Sequence, residues 1–388
     1  MDHSSFLTGL QTPYYLLDEQ AIVDNLTRID RLCRLSGAKA LLALKCFATW
    51  GVFDAMRPYL HGTTSSSLFE VRLGKEKFGG ETHAYSVAYA AHEIDEALSY
   101  ADKIIFNSFN QLHVFKDKAK TAGVPVGLRL NPNVSNSSFI IADPARPFSR
   151  LGEHDVAKIL DVCDDISGVM IHYNCENDDF AAFSKTLDDI ETKFADVFAC
   201  LEWVSLGGGI HFIGDEYPLE SLAQRLKDFS ERHGVQVYLE PGEAAVHNGA
   251  ALVTTVLDTL HNGKNLAVVD ASIEAHMLDL LIYRSPAPLV SINHQTLNLS
   301  ENVSDGSTII YGKSCLAGDI FGEYQLGALK QPLAIGDQVA FGNAAAYTMV
   351  KKNWFNGVDM PSIVIKKLDG TISIQRTFDY DDYKDSLS

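Results

Sequence analysis

The sequence predicts an α/β chain in two parts, a (β/α)8 TIM-like barrel followed by an all-β domain. From about Ala38 to Gly242, short apolar runs alternate with amphipathic, charged stretches, the rhythm of buried parallel strands and covering helices. Beyond Gly242 the pattern gives way to short β-rich segments broken by turn residues. The chain also has 388 residues, 46% of them apolar and 21% charged, more than one small core requires. Rhythm alone leaves a doubly wound sheet open as an alternative to the barrel.

Each element follows from the same reading. Residues 12–18 are a β-prone run ahead of any helix, and the segment 1–30 is assigned to the β-domain because chain termini often lie close together. The barrel is expected over 31–250, with strands at 40–44, 84–87, 103–107, 126–130, 168–172, 203–206 and 235–240. Helices are expected at 153–162, 182–198 and 219–233 among others. The β-domain is expected over 251–388, with strands at 251–257, 267–270, 289–292, 307–311, 337–341, 362–366 and 371–375. The acidic, polar tail from Asp379 is expected to fray.

Composition excludes several classes of function. A net charge of -18 repels nucleic acid and anionic membranes, while it would steer a cationic substrate inward. The six cysteines show neither a CxxC pair nor a His/Cys ligand spacing, so free thiols and no metal are expected. No apolar run is long enough to span a bilayer and no secretory signal is visible, so a cytoplasmic protein is expected.

Polar residues recur at the ends of the expected barrel strands, where such folds place their active sites. Lys45 closes the apolar run ALLALKCF; it is either a snorkelling surface lysine or a desolvated Schiff-base amine. Gly207, Gly208 and Gly209 follow another strand as a loop able to bring backbone N–H groups onto a phosphate, though such a run is often only a turn. Glu240 stands before Pro241 and Gly242, as a solvated carboxylate or as the partner of a cofactor's ring nitrogen. His172 and Arg129 occupy equivalent strand ends. Further on, KSCLAGDIF places Cys315 and Asp319 in a glycine-containing loop, and FGNAAAYTM presents Tyr347 after small residues.

Taken in order, Lys45, SSSLFE, His172, GGG, EPG, the C-x-x-x-D loop and the late Ala-Tyr-Thr resemble the fold type III, alanine-racemase-like decarboxylases of ornithine, arginine and diaminopimelate. The resemblance spans nearly the whole chain. It implies that pyridoxal 5'-phosphate is held covalently by Lys45, with His172 against the ring and Glu240 on the pyridine nitrogen. By the same resemblance Gly208, Gly209 and Tyr347 hold the phosphate, while Arg129, Ser67 and Glu70 support the ring.

The chain departs from those relatives in carrying EPGE where they usually have EPGR, so an anion, Glu243, replaces a cation. HYNCEN and VVDASIEAHMLDLL, with His276 and Asp279, make it similar to the carboxynorspermidine/carboxyspermidine decarboxylase family. That resemblance implies substrate contacts from Glu243 and Asp279, suited to a carboxylated triamine. It also implies that Cys315 returns a proton, that Asp319 sits beside it near the substrate, and that a homodimer shares its active sites. The rival readings are diaminopimelate or arginine decarboxylase, an amino-acid racemase of the same fold, and a cofactor-binding protein without turnover.

Overall fold

Two glycines inside strands decide how the first unit packs. A Cβ on Gly168 would lie 2.0 Å from the Trp203 ring, and one on Gly127 would lie 2.5 Å from it. Their absence lets the indole fill the interior of a closed barrel, where it joins Leu41, Tyr85, Ile105, Met170 and Tyr238. In the computed structural model, which describes residues 10–293, 295–297, 307–326 and 332–388, eight strands close this barrel. They are Lys39–Ala43, Gly62–Thr64, Glu81–Tyr85, Lys103–Phe106, Val126–Leu130, Gly168–Ile171, Trp203–Ser205 and Gln236–Leu239, each parallel to its neighbours. The doubly wound alternative is thereby removed.

The barrel's amino-terminal end is closed by charge rather than by apolar bulk. Glu81 receives Lys39 Nζ at 3.1 Å, the Tyr238 hydroxyl at 2.7 Å and Lys103 Nζ, and it faces His83 Nε2 at 3.0 Å. These donors hold its carboxyl far below the usual range although burial alone would raise it. The strand-end residues singled out above lie at the opposite, carboxyl-terminal end.

Compact units divide the chain at Val23–Ala245, which contains the barrel, and at the residues up to Ile22 together with Val246–Ser388. The second unit is built on a ten-stranded mixed sheet. Its Tyr14–Asp18 strand pairs antiparallel with Ala250–His261 and parallel with Ser362–Lys366, burying Tyr14 and Leu16 against Val253, Ala340 and Val364. The first nine residues of the expected N-terminal segment lie outside the described residues. A bulge between Val256 and Asp258 lets the long Ala250–His261 strand also pair with Asn265–Val269. Phe321 and Phe341 stack at 4.3 Å inside this unit.

Short helices interrupt its β-character, at Ile273–His276, Leu278–Tyr283 and Tyr380–Asp385. The last of these corrects the expectation of a frayed tail. Asp379 accepts the N–H groups of Asp381 and Asp382, and Asp382 reaches back to the Asp379 N–H, a reciprocal cap that fixes the first turn. Among the described residues no helix is long and apolar enough to cross a membrane.

Candidate active site

Lys45 follows the Lys39–Ala43 strand and is ringed by neighbouring strand ends while keeping an accessible face, as a lysine in an open well does. Burial lowers its pKa, the Arg129 guanidinium lowers it further, and Glu240 pulls the other way. The amine is thus poised toward its neutral, nucleophilic form. Arg129 is fixed in turn: its Nη1 donates to the Tyr85 hydroxyl at 2.7 Å, and that hydroxyl donates to Asn107 Oδ1 at 2.9 Å.

His172 stands just after the Gly168–Ile171 strand, where burial and the charges of Lys45 and Arg129 drive its pKa well down and keep the ring neutral. Its Nδ1 accepts the Gly208 N–H at 3.3 Å, so the other ring nitrogen carries the proton. The Gly208 N–H is engaged with His172, and a Cβ at Gly208 or Gly209 would lie 2.2 Å from Glu240 O or 2.1 Å from Asn174 O. The close approach of three strand ends, backbone to backbone, also requires glycine at these positions.

Glu240 ends the Gln236–Leu239 strand, 8% exposed, with Oε1 receiving the Ser205 hydroxyl at 2.7 Å. Ser67 and Glu70 belong to a helix start. Ser67 Oγ accepts the Glu70 N–H at 3.3 Å, and Glu70 Oε2 accepts the Ser66 N–H at 2.6 Å, a cap for Leu68–Leu73. Burial nevertheless raises the Glu70 carboxyl, which feels the Lys45 charge. Glu243 opens a short helix and acts electrostatically on Cys175, which in turn senses Lys45. Sequence reasoning overlooked Tyr85, Asn107, Cys175 and Ser205, whose only signal was a polar side chain at or near a barrel strand end.

In the second unit, Cys315 is exposed and its N–H donates to Asn356 Oδ1 at 2.7 Å. Asp319 is 1% exposed, and its two oxygens accept the N–H groups of Ile273 at 2.7 Å and Ser314 at 3.0 Å. In this structure the carboxylate is engaged with the backbone that shapes the Cys315 loop. Asp279 is ion-paired with Lys351, whose ammonium also lies 5.3 Å from the Tyr347 ring centroid. Tyr347 itself holds a φ of 49°, unusual for an aromatic residue.

A lysine tending to neutrality, a buried carboxylate, a neutral imidazole and a pinned arginine at one barrel mouth define a carbonyl-cofactor enzyme. The donor set fits pyridoxal phosphate: an amine for its aldehyde, a carboxylate for its ring nitrogen and a flat uncharged ring to lie against it. Residues 49–345 match the family described as pyridoxal-dependent decarboxylase, C-terminal sheet domain. The chain is 55% identical over 379 residues to the carboxynorspermidine/carboxyspermidine decarboxylase of Herminiimonas arsenicoxydans, covering 98% of this chain and 100% of that one. It is 33% identical to the carboxyaminopropylagmatine decarboxylase of Synechocystis sp., over 98% and 96% of the two chains. The crystal structure of carboxynorspermidine decarboxylase complexed with norspermidine from Campylobacter jejuni superposes with a TM-score of 0.87 at 34% identity, covering 97% and 100%. The chain belongs to the pyridoxal-dependent decarboxylase family, and it is a carboxy-lyase that uses pyridoxal phosphate.

Proposed function

We propose that this enzyme decarboxylates carboxynorspermidine to norspermidine and carboxyspermidine to spermidine, as a homodimer with shared active sites. The observation that carries the reading is the 55% identity, over nearly the full chain, to a relative named for both substrates. Glu243 supports it, because a carboxylate in place of the more usual arginine suits a substrate whose far end is an amine.

When bound, pyridoxal phosphate supplies an aldehyde that captures the substrate's α-amine and a protonated ring that takes up the electrons left when CO2 departs. The residues around it have separable tasks. Lys45 would hold the cofactor's aldehyde, and its lowered pKa suits an amine that must bond to it reversibly. Glu240 would pair with the ring nitrogen, His172 would lie against the ring, and Arg129, held by Tyr85, would support it. Gly208, Gly209 and Tyr347 would hold the phosphate. Glu243 and Asp279 receive the distal amines, and at Asp279 a substrate ammonium takes over the place of Lys351. Cys315, exposed on its loop, returns a proton to the α-carbon in the partner subunit's site.

The test is CO2 release from carboxynorspermidine, carboxyspermidine, carboxyaminopropylagmatine, diaminopimelate, ornithine and arginine. The two carboxylated triamines are expected to exceed the amino acids in kcat/KM by a factor of roughly 100 or more, the scale of one desolvated charge contact. Preference for diaminopimelate or arginine would overturn the reading.

A further inference from the structure

Ser205 is the last residue of the Trp203–Ser205 strand and is fully buried. Its hydroxyl oxygen accepts the Gly207 N–H at 3.3 Å, which occupies that side of the oxygen and leaves the hydroxyl hydrogen for Glu240 Oε1 at 2.7 Å. Glu240 is fixed from behind as well. Its N–H donates to Gly207 O at 2.8 Å, and its carbonyl oxygen lies where a Cβ on Gly208 would be. Backbone and side chain of Glu240 are therefore both tied to the end of the Trp203–Ser205 strand. Lys45, His83 and Tyr85 sense its charge, yet among the described residues Ser205 supplies the one hydrogen bond to its carboxylate.

We propose that Ser205 is a positioning residue that holds Glu240 Oε1 and so turns its second oxygen to meet the cofactor's ring nitrogen. This rests on the assignment of Glu240 to that nitrogen. With Oε1 engaged by Ser205, the second oxygen would be aligned to accept the N–H of a protonated ring nitrogen, the form in which the ring is an electron sink. Without the hydroxyl, that alignment would be lost and the protonated nitrogen would lose its partner. Nothing in this role concerns substrate binding, so its loss falls on kcat rather than on KM.

The experiment uses holoenzyme loaded with cofactor that is 15N-labelled at the ring nitrogen, read by NMR beside steady-state kinetics and thermal melting. Ser205→Ala is expected to move the resonance from the protonated toward the neutral pyridine position and to lower kcat by about tenfold or more, the scale of one charge-assisted hydrogen bond. KM is expected to stay within about twofold, since ground-state substrate contacts are untouched. Ser205→Thr, which restores the hydroxyl, is expected to return both readouts toward wild type. Ser205→Cys serves in place of Ala if that variant fails to retain cofactor, with a weaker donor of similar size giving an intermediate shift. An unmoved resonance in the Ala variant, whatever happens to kcat, overturns the proposal. Glu240→Gln separates the two layers: if it too leaves the nitrogen protonated, the assignment of Glu240 fails and Ser205 falls with it.

Discussion

At Lys45, burial and the Arg129 guanidinium both favour the free amine against the opposing pull of Glu240, so its reactivity comes from its surroundings and not from lysine itself. Borohydride reduction of the holoenzyme is therefore expected to fix pyridoxyl mass on the peptide containing Lys45; label on another lysine would refute the assignment. His276 shows burial acting on stability instead. It is wholly buried, its Nδ1 accepts the Ser272 N–H at 3.2 Å, its Nε2 has no hydrogen-bond partner, and burial lowers its pKa to about 3. The folded value lies below the unfolded one, so acid protonates the unfolded chain first. The resulting stability is present above about pH 6.5 and is lost as pH falls toward about 3, by at most about 1.4 kcal/mol per unit. His276→Asn keeps an acceptor for the Ser272 N–H but does not titrate. Urea unfolding at about pH 7 and about pH 5 is expected to show the variant losing roughly 1–2 kcal/mol less on acidification than wild type, and equal losses would exclude His276 as the cause.

Among elements, the strands legible in the sequence were those with an apolar run, such as Val126–Leu130 and Gly168–Ile171. The strand Gly62–Thr64 escaped because three small or polar residues leave no hydrophobic signal. A Cβ at Gly62 would lie 1.8 Å from Glu81 O, so close approach to the next strand selects glycine there. The helix expected at 153–162 shrinks to Val156–Leu160 because Glu153 bridges to Leu130 instead. Site residues were legible where a barrel strand ends in a polar side chain, as at Lys45, His172 and Glu240. They are less legible where local backbone geometry also engages the side chain, as at Asp319, because sequence spacing does not reveal which N–H groups a carboxylate will find. The distinction can be measured. Asp319→Ala leaves two buried N–H groups without acceptors, at about 1–3 kcal/mol each, and loosens the Cys315 loop. It is expected to lower the melting temperature and kcat while leaving KM for the triamine nearly unchanged, whereas Asp279→Ala is expected to raise that KM. A large KM effect at Asp319 with unchanged melting would mark it as a substrate contact.

At the scale of the whole molecule, the proposed homodimer decides which copies of Lys45 and Cys315 work together. Cys315 is exposed in the sheet-bearing unit, and Lys45 lies in the barrel unit. A two-fold assembly that brings one chain's Cys315 loop to the partner's barrel mouth creates two equivalent sites at once, because such an interface is self-complementary. Each site then needs Lys45 from one chain and Cys315 from the other. Chains carrying Lys45→Ala are expected to be inactive, and chains carrying Cys315→Ala nearly so. When the two are mixed and allowed to exchange subunits, about half of the dimers pair unlike chains. In such a dimer one site holds both substitutions and the other holds neither, so restored activity should approach about a quarter of wild type. Native mass spectrometry of differently tagged chains reports the mixed fraction independently of activity. If mixed dimers form and activity stays at the level of the separate variants, Lys45 and Cys315 of the same chain serve the same site, and the shared-site arrangement is wrong.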